Sequence, residues 1–348
     1  MKKHNWLTAI GLVVILGLLV PASASYAAPP PQGGKRLLFA MIPKTLDNPG
    51  FLIAKRGADF RAGELGKNID VFWTASTTAD AAQEVQVIES LIQRKPDGLL
   101  INSNGPSVCD AVREALKAGV PVVMWDSDCP DVKEATYVGS DNYEGGVKTG
   151  ELYIEALKGK TGHQKIAILT GVPGVFNLGE RDRGFKAALD AAKIDYEIVT
   201  TVPGYDDLAK SVDAVESTTR ANPDLTGWFW DGPWTMLMPP DSLPETVKGI
   251  KAGKLTVVSM DSLEAQLPWI EQDLVYGVVG QKYYGWGYQG LSVMHEIAVN
   301  GCKTFPKLAN TGLDVVTKVG GSGRFSAAEY AKKWKDFDFS EKPLTCPK

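Results

Sequence analysis

The chain is predicted to be an α/β protein built from two parallel-sheet domains. Two observations carry this. Short apolar runs alternate with helix-spaced segments along almost the whole chain, the pattern of successive βαβ units. The alternation also breaks near Ser140 and restarts, so two similar half-chains follow one another. A single sheet with so many strands would be unusual, and 348 residues suffice for two separate cores.

The elements follow in order. RLLFAMIP (36–43) is a buried strand, 44–50 a loop and 51–66 a helix. A short strand at 70–74 precedes a helix at 79–94, whose Val85, Ile88, Leu91 and Ile92 recur at helical spacing. A strand at 98–102 leads to a helix at 107–118, with Ser107 as its expected N-cap. The apolar run 120–125 is then a buried strand that ends in Asp126, Ser127 and Asp128. After a strand at 135–139 and a helix at 142–157, the second half repeats the theme. Strands fall at 165–170, 197–202, 227–230 and 256–260, with helices at 180–192, 207–220 and 244–252 between them. A strand at 275–280, a helix at 284–299 and a strand at 313–318 complete the pattern.

Hydrophobic content of 44%, charged content of 22% and a net charge of −4 describe a globular chain. No basic block is present, which argues against a nucleic-acid partner. Lys2 and Lys3, the apolar run 7–20 and the small residues after it read as a signal peptide within 1–28, cleaved after Ala24 or Ala27. The run is shorter than the about 20 residues that cross a bilayer. No cysteine follows it, so no lipid anchor is expected. Export suits the four cysteines, which allow three pairings or four buried thiols. Cys109 and Cys129 follow consecutive strands whose end loops should meet, which favours Cys109–Cys129 and leaves Cys302–Cys346.

Ligands of open α/β sheets sit beyond the C-terminal ends of the strands. There the chain carries Asn48, Asn102, Asp126 and Ser127 in its first half. Asn177, Arg181, Asp231, Asp261 and Gln281 stand at similar points of the second. These groups donate to, accept from, or fork onto hydroxyls. Aromatic residues lie among them: Phe51, Trp125, Phe176, Trp230 and Trp234. Ring faces with placed polar groups at the rim suit a polyhydroxylated molecule. Each residue also has a local reading: Asn48 as a turn former before Pro49-Gly50, Asp231 and Asp261 as caps, Trp125 and Trp230 as core.

The segments FAMIPKTLDNPGF, KPDGLLINS, AGVPVVMWDSD, VGSDNYEGG, ERDRGFKAAL and VVSMDS together resemble periplasmic sugar-binding proteins of the ribose-binding type, the solute receptors of ABC importers. The resemblance runs over roughly 36–320. It implies two Rossmann-like domains joined by a three-strand hinge, with the ligand cleft between them. It also implies a first lobe of 36–139 plus 282–312 and a second of 140–281 plus 313–348. Carried over, the ligand contacts fall on Asn48, Phe51, Asn102, Asp126, Arg181 (with Arg183 as its neighbour candidate), Asp231, Asp261 and Gln281. The implied partners are a monosaccharide or sugar alcohol and a membrane ABC permease, for a monomeric protein in the periplasm. Ser127 stands where the ribose binders have an arginine, and the loss of that fork turns the expectation away from ribose itself. WDSD is also similar to receptors for the furanosyl signal autoinducer-2, so a sugar-signalling receptor is the alternative on the same scaffold.

A secreted glycoside hydrolase is the remaining class. Asp126 and Asp128 alternate on an extended chain and should point to opposite faces. Nucleophile-elbow, zinc-protease and phosphate-loop motifs are missing, and only His163 and His295 lie beyond the signal peptide. The expectation is therefore a binding protein without cofactor or metal.

Overall fold

The structure is a computed structural model that describes residues 35–348 apart from Thr77, Thr161, Asp338, Ser340 and Lys348. The expected signal peptide lies outside the described residues.

The first half builds β1 (Leu37–Ile42), α1 (Pro49–Leu65), β2 (Ile69–Trp73), α2 (Ala81–Gln93), β3 (Gly98–Ile101), α3 (Pro106–Lys117), β4 (Val122–Trp125) and β5 (Thr136–Gly139). The chain continues with α4 (Asn142–Ala156), β6 (Gln164–Thr170), α5 (Phe176–Ala191), β7 (Tyr196–Pro203), α6 (Leu208–Ala221), β8 (Gly227–Trp230), α7 (Pro244–Lys251), β9 (Thr256–Met260), α8 (Leu267–Glu271) and β10 (Gly277–Gln281). Last come α9 (Tyr283–Ala298), β11 (Leu308–Asn310), β12 (Leu313–Thr317), β13 (Phe325–Ser326) and α10 (Ala327–Asp336).

Two sheets result, as the repeated βαβ pattern requires. One has the order β11-β5-β4-β3-β1-β2, parallel throughout. The other has the order β13-β12-β10-β9-β8-β6-β7, with β10 and β12 its antiparallel pair. Central strands such as β3, β4, β8 and β9 are buried along their whole length, which is why their sequences are continuous apolar runs. The chain passes between the sheets after β5, after β10 and after β11.

Several details differ from the sequence reading. The α3 helix starts on Pro106 with Gly105 as its N-cap, so Ser107 does not cap it. β11 was not expected: its three residues are too few to show a period. α10 was not expected either, although Ser326 and Glu329 form a capping box that announces it. The segment 313–348, expected to lie wholly in the second lobe, divides at the end of α10. Beyond it Gln289 on α9 donates to the Lys342 carbonyl at 2.7 Å and accepts from the Leu344 N–H at 2.8 Å. Cys346 then pairs with Cys302, so this tail is fastened to the helix that packs on the first sheet. The second disulfide joins Cys109 and Cys129, as the neighbouring strands suggested.

Candidate functional site

The β4 strand delivers Asp126 at the C-terminal edge of the first sheet, and β9 delivers Asp261 at the same edge of the second. Both residues leave their strands in the left-handed region, with φ of 57° and 72°. Aspartate tolerates that conformation better than most residues. The turn at Asp126 is held by Tyr137, whose hydroxyl donates to the Asp126 carbonyl at 2.8 Å.

Arg181 is placed by helix packing. A Cβ on Gly146 of α4 would lie 2.0 Å from the Arg181 carbonyl, and one on Gly184 of α5 would lie 2.1 Å from that of Tyr143. These two glycines let α4 and α5 touch backbone to backbone. The guanidinium then donates from Nε to Asn142 Oδ1 at 2.9 Å and from Nη1 to the Asp231 carbonyl at 3.0 Å. It lies 3.8 Å from the Asp231 carboxylate and 3.9 Å from that of Asp126, across the gap between the sheets.

Around these groups lies a narrow cavity of about 30 Å³. From the first sheet's side come Lys44, Asn48, Phe51 and Asp126, with Tyr283 and Trp286 of α9. From the other side come Asn177, Leu178, Arg181, Asp206, Pro233, Trp234, Asp261 and Gln281. Lys44 Nζ sits 3.3 Å from Asp126 Oδ2 and 3.4 Å from Asn177 Oδ1. Gln281 donates to Asp261 Oδ1 at 2.7 Å. One wall is aromatic: Tyr283 and Trp286 pack nearly at right angles at 4.6 Å, and Phe51 is backed in the same way by the buried Trp125 at 5.5 Å.

Burial pushes the Asp231 carboxyl well above the usual carboxylate range, and it raises Asp261 and Asp206 in the same direction. For Arg181, burial works against the charge, but Asp231, Asp261 and Asp126 together outweigh it and hold the guanidinium charged. Several buried polar atoms have no hydrogen-bond partner among the described residues. On the cavity wall these are the acceptor Oε1 of Gln281 and the donors Nη2 of Arg181 and the indole nitrogens of Trp234 and Trp286. Unpartnered buried polar groups are costly. A set holding both donors and acceptors complements hydroxyl groups, each of which is both.

Of the residues singled out in the sequence, Asn48, Phe51, Asp126, Asn177, Arg181, Trp234, Asp261 and Gln281 meet at this cavity. Asn48 also keeps its local role: its Oδ1 accepts from the Gly50 N–H at 2.9 Å and caps α1. Asp231 stands behind Arg181 and is not on the wall. Four other candidates lie away from it. Trp230 is fully buried in the core of the second lobe, edge-on to Trp269 and in the same cluster as Trp228 two residues earlier on β8. Asn102 and Ser127 are buried at the ends of β3 and β4 but line no part of the cavity. Phe176, 37% exposed, lines a separate cleft beside Pro106 and Pro130. Arg183 lies outside the cavity too: it pairs with Glu180 and covers the Tyr143 ring.

Lys44, Asp206, Tyr283 and Trp286 were missed. Lys44 lies two residues past β1 and Asp206 three past β7, so the strand-end rule that flagged Asp126 reaches them once the loop after each strand is included. Tyr283 and Trp286 carried no such signal, one standing just before the expected helix at 284–299 and the other inside it. Neither His163, paired with Asp195 at 2.8 Å, nor His295 on α9 reaches the cavity.

Comparisons with known proteins agree with this architecture. A family model described as a periplasmic binding protein domain matches residues 39–301. The ribose import binding protein RbsB of Haemophilus influenzae is 32% identical over 230 residues, which are 66% of this chain and 72% of the relative. The D-allose-binding periplasmic protein of Escherichia coli is 25% identical over 82% of this chain and 90% of its own length. Among solved structures, an ABC transporter solute-binding protein from Burkholderia graminis in complex with D-arabinose superposes with a TM-score of 0.74 at 31% identity, covering 83% of this chain and 97% of that one. Two parallel-sheet lobes, a polar cavity at their facing strand ends and a family match across most of the chain place this protein in the periplasmic binding protein domain family.

Proposed function

We propose that the protein captures a monosaccharide or sugar alcohol between its two lobes and delivers it to an ABC-type importer from the periplasm. The observation that carries this reading is the convergence of Asp126 and Lys44 from one sheet with Arg181, Asn177 and Asp261 from the other on a single cavity. The ribose, allose and arabinose named for the relatives support the ligand class. In this reading the lobes are 36–139 with 282–312 and 140–281 with 313–336, and they rotate about the three crossings after β5, β10 and β11. The ligand closes them because it touches both, and it favours the closed form only by its extra affinity for that form. Asn48, Phe51, Asp126, Arg181, Asp261 and Gln281 contact it directly. Asp231 acts through Arg181.

The test is a thermal-shift screen against pentoses, hexoses and alditols, since a ligand bound only by the folded state raises the melting temperature by mass action. A saturable rise for at least one of them is expected, and no rise for any of them would overturn the reading. Incubation with aryl glycosides should give no turnover above background.

A further inference from the structure

Behind the cavity, α2 carries a carboxyl group with no part in the site described so far. Glu84 is fully buried. Its Oε2 accepts from the Asn104 N–H at 2.9 Å, while Oε1 has no partner among the described residues. Asn104, itself buried, donates from Nδ2 to the Lys44 carbonyl at 3.3 Å. Lys44 then reaches across to Asp126 at 3.3 Å. An unbroken run of contacts therefore leads from α2 to a carboxylate on the cavity wall.

A carboxyl is buried this deeply only if it is neutral or well partnered. Burial pushes Glu84 up to about 8, against the opposing pull of the Asn104 hydrogen bonds and the charge of Lys44. At neutral pH it is mostly the acid form, which accepts at one oxygen and can donate at the other. A plain apolar side chain there would fill space but would leave the Asn104 N–H without an acceptor.

We propose that Glu84 is a positioning residue for the sugar site: by fixing the segment at Asn104 it holds the main chain of Lys44, and so sets how firmly Lys44 is kept against Asp126. The inference rests on the sugar-binding reading above. Its consequence is that affinity depends on a residue that touches no ligand.

The experiment is a double-mutant cycle on the sugar that gives the largest thermal shift, read by calorimetry. Glu84→Ala and Asn104→Ala should each weaken binding by about tenfold, the scale of one buried hydrogen bond. In a Lys44→Met background both should add almost nothing, because the group they position is gone. Glu84→Gln, whose amide still accepts from Asn104, should recover most of the affinity lost in Glu84→Ala. Equal losses with and without Lys44, or no rescue by glutamine, would overturn the proposal and leave Glu84 as a packing residue. Should Glu84→Ala not fold, Glu84→Leu, which keeps the volume but gives the Asn104 N–H no acceptor, takes its place in the cycle. A wild-type protein that binds none of the sugars tested refutes the sugar reading instead, so the two failures are told apart.

Discussion

Arg181→Ala tests the site most directly. The guanidinium makes two hydrogen bonds within its own lobe, to Asn142 Oδ1 at 2.9 Å and to the Asp231 carbonyl at 3.0 Å. It also faces the Asp126 carboxylate of the other lobe at 3.9 Å, and its Nη2 is left without a partner. At an effective dielectric of about 20, unit charges at that distance attract by about 4 kcal/mol before solvation is counted. Lys44 shares Asp126, so only part of this is lost with the arginine. One charge-assisted hydrogen bond to a ligand hydroxyl adds about 1.5–3 kcal/mol. The net expectation is about 2–4 kcal/mol of binding free energy, a Kd weakened by roughly 30- to 1,000-fold. Calorimetry with the sugar identified by thermal shift measures it. Urea unfolding of the unliganded variant checks that it remains folded, since Asn142 Oδ1 and the Asp231 carbonyl lose their buried donor. A folded Arg181→Ala protein whose Kd stays within threefold of wild type would refute the site.

Other expectations separate site from scaffold. Trp230→Ala should lower stability by about 3–5 kcal/mol, as for a large core side chain, in denaturant melts; a variant of wild-type stability with lost binding would return Trp230 to the site. Ser127→Ala should leave Kd within threefold by calorimetry, and a larger change would mean that its hydroxyl reaches the ligand. Replacing Cys302 and Cys346 by alanine opens a loop with a sequence separation of 44, which should cost up to about 4 kcal/mol by the chain-entropy relation; an unchanged urea midpoint would argue against it. Glu84 is pushed up to about 8 in the folded protein, so the native state holds a proton that the unfolded chain releases near pH 4. Its contribution is full below that pH and is lost as pH rises toward 8, at no more than about 1.4 kcal/mol per pH unit. Urea melts across this range should show Glu84→Gln flattening the slope, and an identical slope in the two proteins would contradict the assignment.

Much of this was legible in the chain because it is local. Buried strands write themselves as apolar runs, and the residue just past each run marks the ligand edge; Asp126 and Asp261 were found in that way. The pairing of Cys109 with Cys129 followed from strand adjacency alone. What the tertiary structure decided is direction and company. Trp230 and Asp231 are neighbours in sequence, but one side chain enters the core and the other stands behind the cavity, which depends on sheet packing and not on residue type. The close approach of α4 and α5 through Gly146 and Gly184 aims Arg181, while Arg183, two residues on, lies on the outer surface. Lys44, Asn104 and Glu84 come from three separate segments, and only the folded sheet brings them into one line toward Asp126. Sequence by itself determined the class of fold and the end of the sheets where a ligand belongs. Long-range packing chose which side chains line the cavity there, because that choice depends on contacts between residues that the chain keeps far apart.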